Sequence, residues 1–230
     1  MFLTLKKKTV IIIVAAVLCA ASFFAAIGFA SAKADSGRAN GMVVVVDAGH
    51  GGIDGGVVGS ATGVKESDIN LAVARSLKHF LTSKGYQVVM TRNTTDGLYG
   101  MSTKNRKIRD MEARRKIIVD AKPDMVVSIH QNSYPRAAQS GAQVFYALNS
   151  EPGRAAAETV QSVVNANLDS GRAAAAGDYY ILRCSEYTSL IVECGFLTNP
   201  VEERLLISAP YQEKVAYTIF TGIHTVLSGR

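Results

Sequence analysis

Short apolar runs alternate along this chain with longer stretches in which apolar residues recur at helical spacing. The runs MVVVVDAGH, DMVVSIH and SLIVEC are typical of strands buried on both faces. Between the first two, Glu66 to Lys84 repeats apolar residues at helical intervals and is followed by Gly85, a residue type favoured just after a helix. This alternation predicts an α/β domain with a mainly parallel twisted sheet and helices on both faces.

The same patterns predict the remaining elements. The further predicted strands are Tyr86 to Thr91, Ala142 to Ala147, Tyr179 to Leu182 and Leu190 to Glu193. The further predicted helices are a basic helix with Ile108, Met111 and Ile118 on one face, Ala155 to Leu168, a helix capped by Asn199-Pro200, and Gln212 to Leu227. The polar segment Asn93 to Lys104 is predicted to be a surface loop.

The amino-terminal segment has the pattern of an export signal. Three lysines at positions 6 to 8 precede Thr9 to Ala32, an uncharged stretch long enough to cross a bilayer as a helix. Small residues at positions 30 to 32 also resemble a signal-peptidase site. Residues 1–32 are therefore expected to be a signal peptide or a membrane anchor, and 33–40 a linker. Either alternative places a single domain, residues 41–230, outside the cytoplasm.

Charge and cysteine content narrow the function classes. Of the formal net charge of +6, three units belong to the lysines at positions 6 to 8, which leaves +3 for the exported part. No basic patch interleaved with aromatic residues is visible, so weak attraction to an anionic envelope polymer is favoured over a nucleic-acid site. Cys184 and Cys194 could pair outside the cytoplasm, but the interpretation as two small buried thiols is favoured because free cysteines are often buried.

Three of the strand-like runs carry a residue able to bind or serve a metal: His50, His130 and Glu193. The carboxyl ends of parallel strands gather at one edge of a sheet, so these residues are expected to converge there. The glycine-rich turn around His50 lacks the Gly-Lys-Ser or Gly-Lys-Thr of a phosphate-binding loop. His79 and His224 lie inside predicted helices without such a context and are interpreted as structural or surface residues.

Taken singly, Glu66 and His130 have ordinary structural interpretations, as a carboxylate at a helix start and as a core histidine. Together, His50, Glu66 and His130 form a His₂Glu set, a catalytic zinc arrangement that leaves one position open for water. Glu193 then remains as an acid-base group, because an acidic residue at the end of an apolar strand is rarely buried without a partner. Zinc is favoured over iron because nothing in the chain indicates redox chemistry.

The chain resembles the zinc-dependent N-acetylmuramoyl-L-alanine amidases that cut peptidoglycan. The stretches that carry the resemblance are DAGHGGIDGG, KESDINLAVA, VVSIHQNS, SGAQVFY and IVECGFLTNP, in the family's order, and they cover nearly everything from Val43 to Arg230. The resemblance implies Zn²⁺ as cofactor, with His50, Glu66 and His130 as its ligands. It places the catalytic glutamate on Glu193.

SGAQVFY and the lack of wall-binding repeats most resemble the germination-specific amidases of spore formers, which prepare spore cortex on the way to muramic lactam. Arg114 also matches an arginine of the family, and we interpret its role as structural. The implied partners are peptidoglycan, no nucleic acid, and the membrane if the amino-terminal segment stays uncleaved; the need for an activating protein partner stays open. The implied location is the cell envelope or, in a spore former, the forespore intermembrane space. Three alternatives remain: a vegetative autolysin, a zinc peptidase acting on stem peptides, and a noncatalytic wall-binding module.

Overall fold

The structure of this protein, a computed structural model, describes residues 41–229. The expected signal or anchor segment, 1–32, and the linker, 33–40, lie outside the described residues. Between residues 41 and 229, none of the helices combines the length and the apolar character that a bilayer-spanning helix needs.

Six strands and six helices form the described part of the chain. The strands are β1 (Val43–Ala48), β2 (Gln87–Met90), β3 (Met125–Asn132), β4 (Gln143–Ala147), β5 (Ala175–Gly177) and β6 (Ser189–Phe196). The helices are α1 (Glu66–Ser83), α2 (Arg106–Ala121), α3 (Glu151–Leu168), α4 (Tyr180–Arg183), α5 (Pro200–Leu206) and α6 (Ala209–Ser228).

The strands form one twisted sheet in the order β2-β1-β3-β6-β4-β5. The pairs β1–β2, β1–β3 and β3–β6 are parallel, and β4 runs antiparallel to β6. The predicted α/β class with a mainly parallel sheet is therefore confirmed. The register pairs His130 of β3 directly with Glu193 of β6, so two of the predicted site residues are neighbours across adjacent strands.

Helices cover both faces of the sheet, but very unequally. On what we call the packed face, α1, α3 and α6 bury alternate residues of the central strands, including Val44, Val127 and Val192, in one large apolar core. On what we call the open face, α2 and α4 cover a much smaller cluster built on Val45 and Val126. Because strand side chains alternate between faces, the continuous apolar runs serve both cores.

The prediction of a strand at Tyr179 to Leu182 is wrong. These residues begin the single-turn helix α4, and the edge strand β5 instead uses the small residues just before them. Ile181 and Leu182 are buried against the open face. A run of four mostly apolar residues is compatible with either a strand or a helical turn, so the local sequence pattern could not distinguish the two.

The apolar stripe predicted for α2 is also only partly correct. Ile118 is fully buried, whereas Ile108 is 58% exposed. The buried positions of this helix are shared with Asp110 and Arg114, which face the edge of the sheet where the predicted site lies. The two cysteines of the described residues, Cys184 and Cys194, are buried free thiols, as favoured from the sequence.

Candidate active site

Three of the four predicted site residues converge in one cluster at the carboxyl edge of the sheet. His50 lies two residues beyond β1, Glu66 is the first residue of α1, and His130 lies in β3. Glu66 Oε1 lies 3.0 Å from His130 Nδ1 and 3.4 Å from His50 Nε2. One donor atom from each of the three residues lies within 4.8 Å of the other two, so this group can hold a metal ion.

The glycine-rich turn allows the two imidazoles to approach each other. A Cβ atom at Gly49 would collide with the ring of His130, so this position leaves no room for a side chain. His50 itself adopts a φ of 60°, in the left-handed region. The ring centroids of His50 and His130 lie 5.0 Å apart in an edge-to-face arrangement. The strained backbone of the turn therefore allows the nitrogen donors of the two rings to converge.

Glu66 is held in place before any ligand binds. Its Oε2 accepts a hydrogen bond from the backbone N–H of Val57 (2.8 Å), and its Oε1 accepts one from the N–H of Gln131 (3.0 Å). Burial raises the pKa of Glu66, but the contacts with His130 and His50 outweigh this effect and hold the pKa well below its usual range. The carboxylate is therefore ionised, as a metal ligand must be, and it is oriented by two backbone hydrogen bonds.

The orientation of His50 is set by a carboxylate that the sequence interpretation missed. Asp54 Oδ1 lies 2.8 Å from His50 Nδ1, which leaves Nε2 as the nitrogen facing the cluster. The other oxygen of Asp54 accepts a hydrogen bond from Lys107 Nζ of α2, at 2.7 Å. Burial raises the pKa of Asp54, but hydrogen bonds from Lys107 and His50 lower it to about 2. The available signal was its position four residues after His50, since metal-binding histidines commonly donate their second nitrogen to a carboxylate.

Glu193, the fourth predicted residue, lines the same cavity but has a different environment. Its Oε2 is buried and has no hydrogen-bond partner among residues 41–229. Burial raises the pKa of Glu193 to about 7; the neighbouring His130 opposes this effect and Glu66 reinforces it. A buried carboxyl group with a free oxygen and a pKa near neutrality can accept and return a proton at physiological pH.

A buried network below the cluster joins α2 to the end of β1. Arg114, 2% exposed, donates to Asp47 and, at 2.6 Å, to Asp110, and it also donates to the carbonyl oxygen of His50 at 2.7 Å. Burial would raise the pKa of Asp47, but Arg114 and the hydroxyl groups of Ser128 and Thr91 lower it to about 2. These contacts agree with a structural role for Arg114, which fixes the backbone that carries His50.

These groups open into a cavity of about 650 Å³ on the open face. Its lining includes Asp54 and Lys107 near His50, and Tyr179, Ile181 and Ile191 near Glu193. The cavity is therefore charged at one end and aromatic or apolar at the other.

The remaining predicted histidines lie elsewhere. His79, on α1, packs edge-to-face against Phe80 with ring centroids 5.7 Å apart. His224, on α6, hydrogen-bonds the hydroxyl group of Tyr86 at 2.7 Å. Neither lines the cavity.

The donor set of the cluster fits a divalent metal ion. Two imidazole nitrogens and one ionised carboxylate are a common ligand set for zinc. Glu193, whose buried Oε2 has no hydrogen-bond partner among residues 41–229, lines the same cavity. The chemistry supported by such a set is metal-assisted hydrolysis with a separate acid-base group.

Comparisons with known proteins agree with this chemistry. Residues 44–225 match the family described as N-acetylmuramoyl-L-alanine amidase. The germination-specific N-acetylmuramoyl-L-alanine amidase of Bacillus subtilis (strain 168) is 34% identical over 189 residues, which cover 80% of this chain and 79% of that protein. The N-acetylmuramoyl-L-alanine amidase LytC of the same organism is 28% identical, and the match covers 79% of this chain but only 35% of LytC.

Solved structures show the same similarity. The CwlD amidase from Clostridioides difficile, determined in complex with the GerS lipoprotein, superposes with a TM-score of 0.78 at 32% identity, covering 82% of this chain and 100% of that one. The catalytic domain of CwlV from Bacillus (Paenibacillus) polymyxa gives a TM-score of 0.73 at 28% identity, covering 82% and 99%. The family match over most of the chain and the relative at 34% identity show that this chain belongs to the N-acetylmuramoyl-L-alanine amidase family and is an enzyme acting on peptidoglycan.

Proposed function

We propose that this amidase is a zinc enzyme of the spore cortex, in which His50, Glu66 and His130 hold the metal and Glu193 is the catalytic acid-base residue. The observation that carries the assignment of roles is the contrast between the two glutamates. Glu66 is ionised and held by backbone amides, whereas Glu193 is desolvated and its Oε2 has no partner among the described residues. The first environment suits a ligand and the second suits proton transfer.

Zinc is favoured over other metals by the ligand types. Two histidines and one carboxylate leave an open position in a tetrahedral site, which is typical of hydrolytic zinc enzymes. A bound zinc ion supplies Lewis acidity, which polarises an amide carbonyl and makes a water molecule more acidic.

Proton movement is then assigned to Glu193. In its ionised form the carboxylate accepts a proton from the attacking water as the new carbon–oxygen bond forms at the amide carbonyl. As the carbon–nitrogen bond breaks, the same carboxyl group returns that proton to the departing nitrogen. General acid-base catalysis of this kind typically contributes about 10²–10⁴-fold to the rate.

The scissile bond is the amide between the lactyl group of N-acetylmuramic acid and L-alanine. Hydrolysis leaves a carboxylate on an intact glycan strand and frees a peptide with L-alanine at its amino end. A zinc peptidase with the same residues would leave alanine attached to the sugar, so the products distinguish the two activities.

The spore-cortex assignment is supported by the germination-specific relative at 34% identity over most of both chains. LytC, at 28% identity and with about a third of its length matched, supports the amidase activity without favouring either polymer. Cell-wall amidases act outside the cytoplasm, and the forespore intermembrane space is the corresponding location for a cortex enzyme. Because CwlD was determined with the GerS lipoprotein, a lipoprotein is the partner class that we propose for this chain.

The assignment of roles is tested by metal analysis and product analysis of three variants. Glu193→Gln should keep about one zinc per chain and lose turnover by about 10²–10⁴-fold, because only the proton acceptor is removed. Glu66→Gln and His130→Ala should lose zinc, because each removes one of three protein ligands. Full zinc occupancy in both ligand variants, or a zinc-free Glu193→Gln protein, would contradict the assignment.

Glu186→Gln is the matched control, because Glu186 is exposed and does not line the cavity. Zinc content and turnover should both stay at the wild-type level. Mass spectrometry of products from purified spore cortex and from vegetative peptidoglycan tests the substrate. Free peptides beginning with L-alanine from cortex alone support the spore assignment, and equal release from both polymers would refute it while leaving the amidase activity intact.

A further inference from the structure

Tyr179 is a partly exposed aromatic side chain that packs at the edge of the cavity. Its ring lies directly on Gly177, where a Cβ atom would collide with it, and packs edge-to-face against Phe145 with centroids 5.5 Å apart. The residue is nevertheless 42% exposed. An aromatic ring that packs against Gly177 and Phe145 but keeps part of its surface exposed is a preformed contact surface for a ligand.

The sheet places this ring at the end of the cavity beyond Glu193. Phe145 of β4 pairs with Ile191 of β6, which precedes Glu193 by two residues and points to the same face. Burial and the charge of Glu193 both raise the pKa of the Tyr179 hydroxyl group. Across the sheet the order is therefore His50, His130, Glu193 and then Tyr179.

The opposite end of the cavity has a different chemistry. It is lined by Asp54, Lys107 and Asp110, and a second groove continues from these three residues toward Tyr99 and Arg106. A substrate whose scissile bond lies over the metal cluster would thus meet an aromatic surface on one side and charged groups on the other.

We propose that Tyr179 is a binding residue for the sugar, on which the pyranose ring of the muramoyl group packs. The proposal rests on the proposed position of the scissile bond. The sugar is joined to that bond through the short lactyl group, so it lies within a few atoms of the metal cluster. A pyranose ring has one face rich in C–H groups, which matches an exposed aromatic ring, whereas the stem peptide carries charged groups that suit the Lys107 end.

The test measures binding in the Glu193→Gln background, where ligands stay uncleaved. Two ligands are compared: a muramoyl peptide, and the same peptide bearing a lactyl amide without the sugar. Tyr179→Ala should weaken binding of the muramoyl peptide by roughly three- to tenfold, which corresponds to about 0.6–1.4 kcal/mol, and leave the sugar-free ligand unchanged. Equal weakening for both ligands would overturn the proposal.

Two further variants distinguish the contribution of the aromatic ring to binding from that of the hydroxyl group and from that of side-chain volume. Tyr179→Phe keeps the aromatic face and should bind the muramoyl peptide as tightly as the protein with Tyr179. A loss of affinity as large as in Tyr179→Ala would show that the hydroxyl group is responsible and would contradict the proposal. Tyr179→Leu keeps apolar volume without the ring and should resemble Tyr179→Ala; unchanged binding in this variant would also contradict an aromatic platform.

Tyr217→Ala is the matched control. Tyr217 is 55% exposed and packs edge-to-face against Phe80 at 5.2 Å, but it does not line the cavity. It should bind both ligands normally, and a loss equal to that of Tyr179→Ala would refute the specific role. Failure of the proposed function is recognised separately, because it would appear as wild-type products in which alanine stays on the sugar.

Discussion

The two faces of the sheet use the same strands for opposite purposes. The packed face buries alternate apolar residues under three long helices, α1, α3 and α6. The open face has a small apolar cluster under α2 and the single turn α4, and beside it lie buried charges and the cavity. One face therefore contributes most of the apolar burial, and the other holds groups whose desolvation is costly.

The two glutamates of the cavity show what this difference means for chemistry. Hydrogen bonds and the neighbouring imidazoles offset the desolvation cost of the Glu66 carboxylate, and its pKa is held low. Glu193 Oε2 accepts no hydrogen bond from residues 41–229, and the opposing effect of the imidazoles is smaller than that of burial, so the pKa of Glu193 is raised to about 7. The cavity can keep such a destabilising group because the packed face contributes stability from the other side of the same strands.

The largest expected effect on stability follows from Ile219→Ala on the packed face. Ile219 lies on α6, is fully buried and belongs to the large core. Its truncation should lower the free energy of unfolding by about 2–5 kcal/mol, because it leaves a cavity among close-packed side chains. Chemical denaturation measures the change, and zinc affinity of the folded protein should not change.

Ile108→Ala is the control for this substitution. Ile108 lies on α2 and is largely exposed, so its truncation should change the free energy of unfolding by less than about 0.5 kcal/mol. Equal losses in the two variants would mean that the packed face is not where stability resides.

The second prediction concerns the metal-free protein, in which a substitution should raise the free energy of unfolding instead of lowering it. The pKa of Glu193 is raised from 4.5 to about 7 in the folded state, so between these pH values the unfolded chain releases a proton that the folded chain retains. The resulting loss of folding stability, caused by ionising a buried carboxyl group, is absent below pH 4.5 and fully present above pH 7. Metal-free Glu193→Gln should therefore be more stable than wild type by about 3 kcal/mol at pH 8 and equal to it at pH 4.

Denaturation of chelator-treated protein across this pH range measures the difference between wild type and variant. A stability difference that is constant with pH, or that grows toward low pH, would show that burial does not raise the pKa of Glu193.

The smallest expected effect concerns Asp54, at the charged end of the cavity. Asp54→Asn weakens the hold on His50 Nδ1 and should lower zinc affinity by about 10–100-fold, because the imidazole loses its orienting carboxylate. Competition with a chromophoric chelator measures the affinity directly. The folding stability of the metal-free protein should change far less than in Ile219→Ala.

Asp120→Asn provides a control of the same type. Asp120 also pairs with a lysine of α2, Lys116, but this pair is exposed and contains no histidine. Its removal should leave zinc affinity unchanged. If both variants lose affinity equally, the effect is one of overall charge and not of His50 orientation.

Much of the fold could be predicted from the sequence, because its elements are marked by local chemistry. The helix beginning at Glu66, and the helix capped by Asn199 and followed by Pro200, occur where the sequence places them, and Asn199 accepts hydrogen bonds from the N–H groups of Val201 and Glu202. Short segments carry too little pattern for this: Tyr179 to Leu182 has no periodicity long enough to distinguish a strand from a helical turn.

The candidate site was predictable to a different degree for each residue. His50, His130 and Glu193 share a cavity, as the strand-end argument expected, because parallel strands end at a common edge. Glu66, which was singled out as a carboxylate at a helix start, lines the same cavity. Asp54 and Tyr179 were missed as site residues. Asp54 lies only four residues after His50, but its contact with Nδ1 depends on side-chain orientation. The contacts of Tyr179 with Gly177 and Phe145 form only through packing.

The sequence by itself determined the alternation of strands and helices and the residue types of a group that can hold a metal ion, since both depend on local spacing and side-chain chemistry. Only the tertiary structure decided that Glu66 is held by backbone amides while Glu193 Oε2 is buried without a partner in the part of the chain that the structure describes. The physical reason is that desolvation and hydrogen bonding depend on which atoms surround a carboxylate in space. Two glutamates that are chemically identical in the chain therefore acquire opposite pKa shifts in the fold.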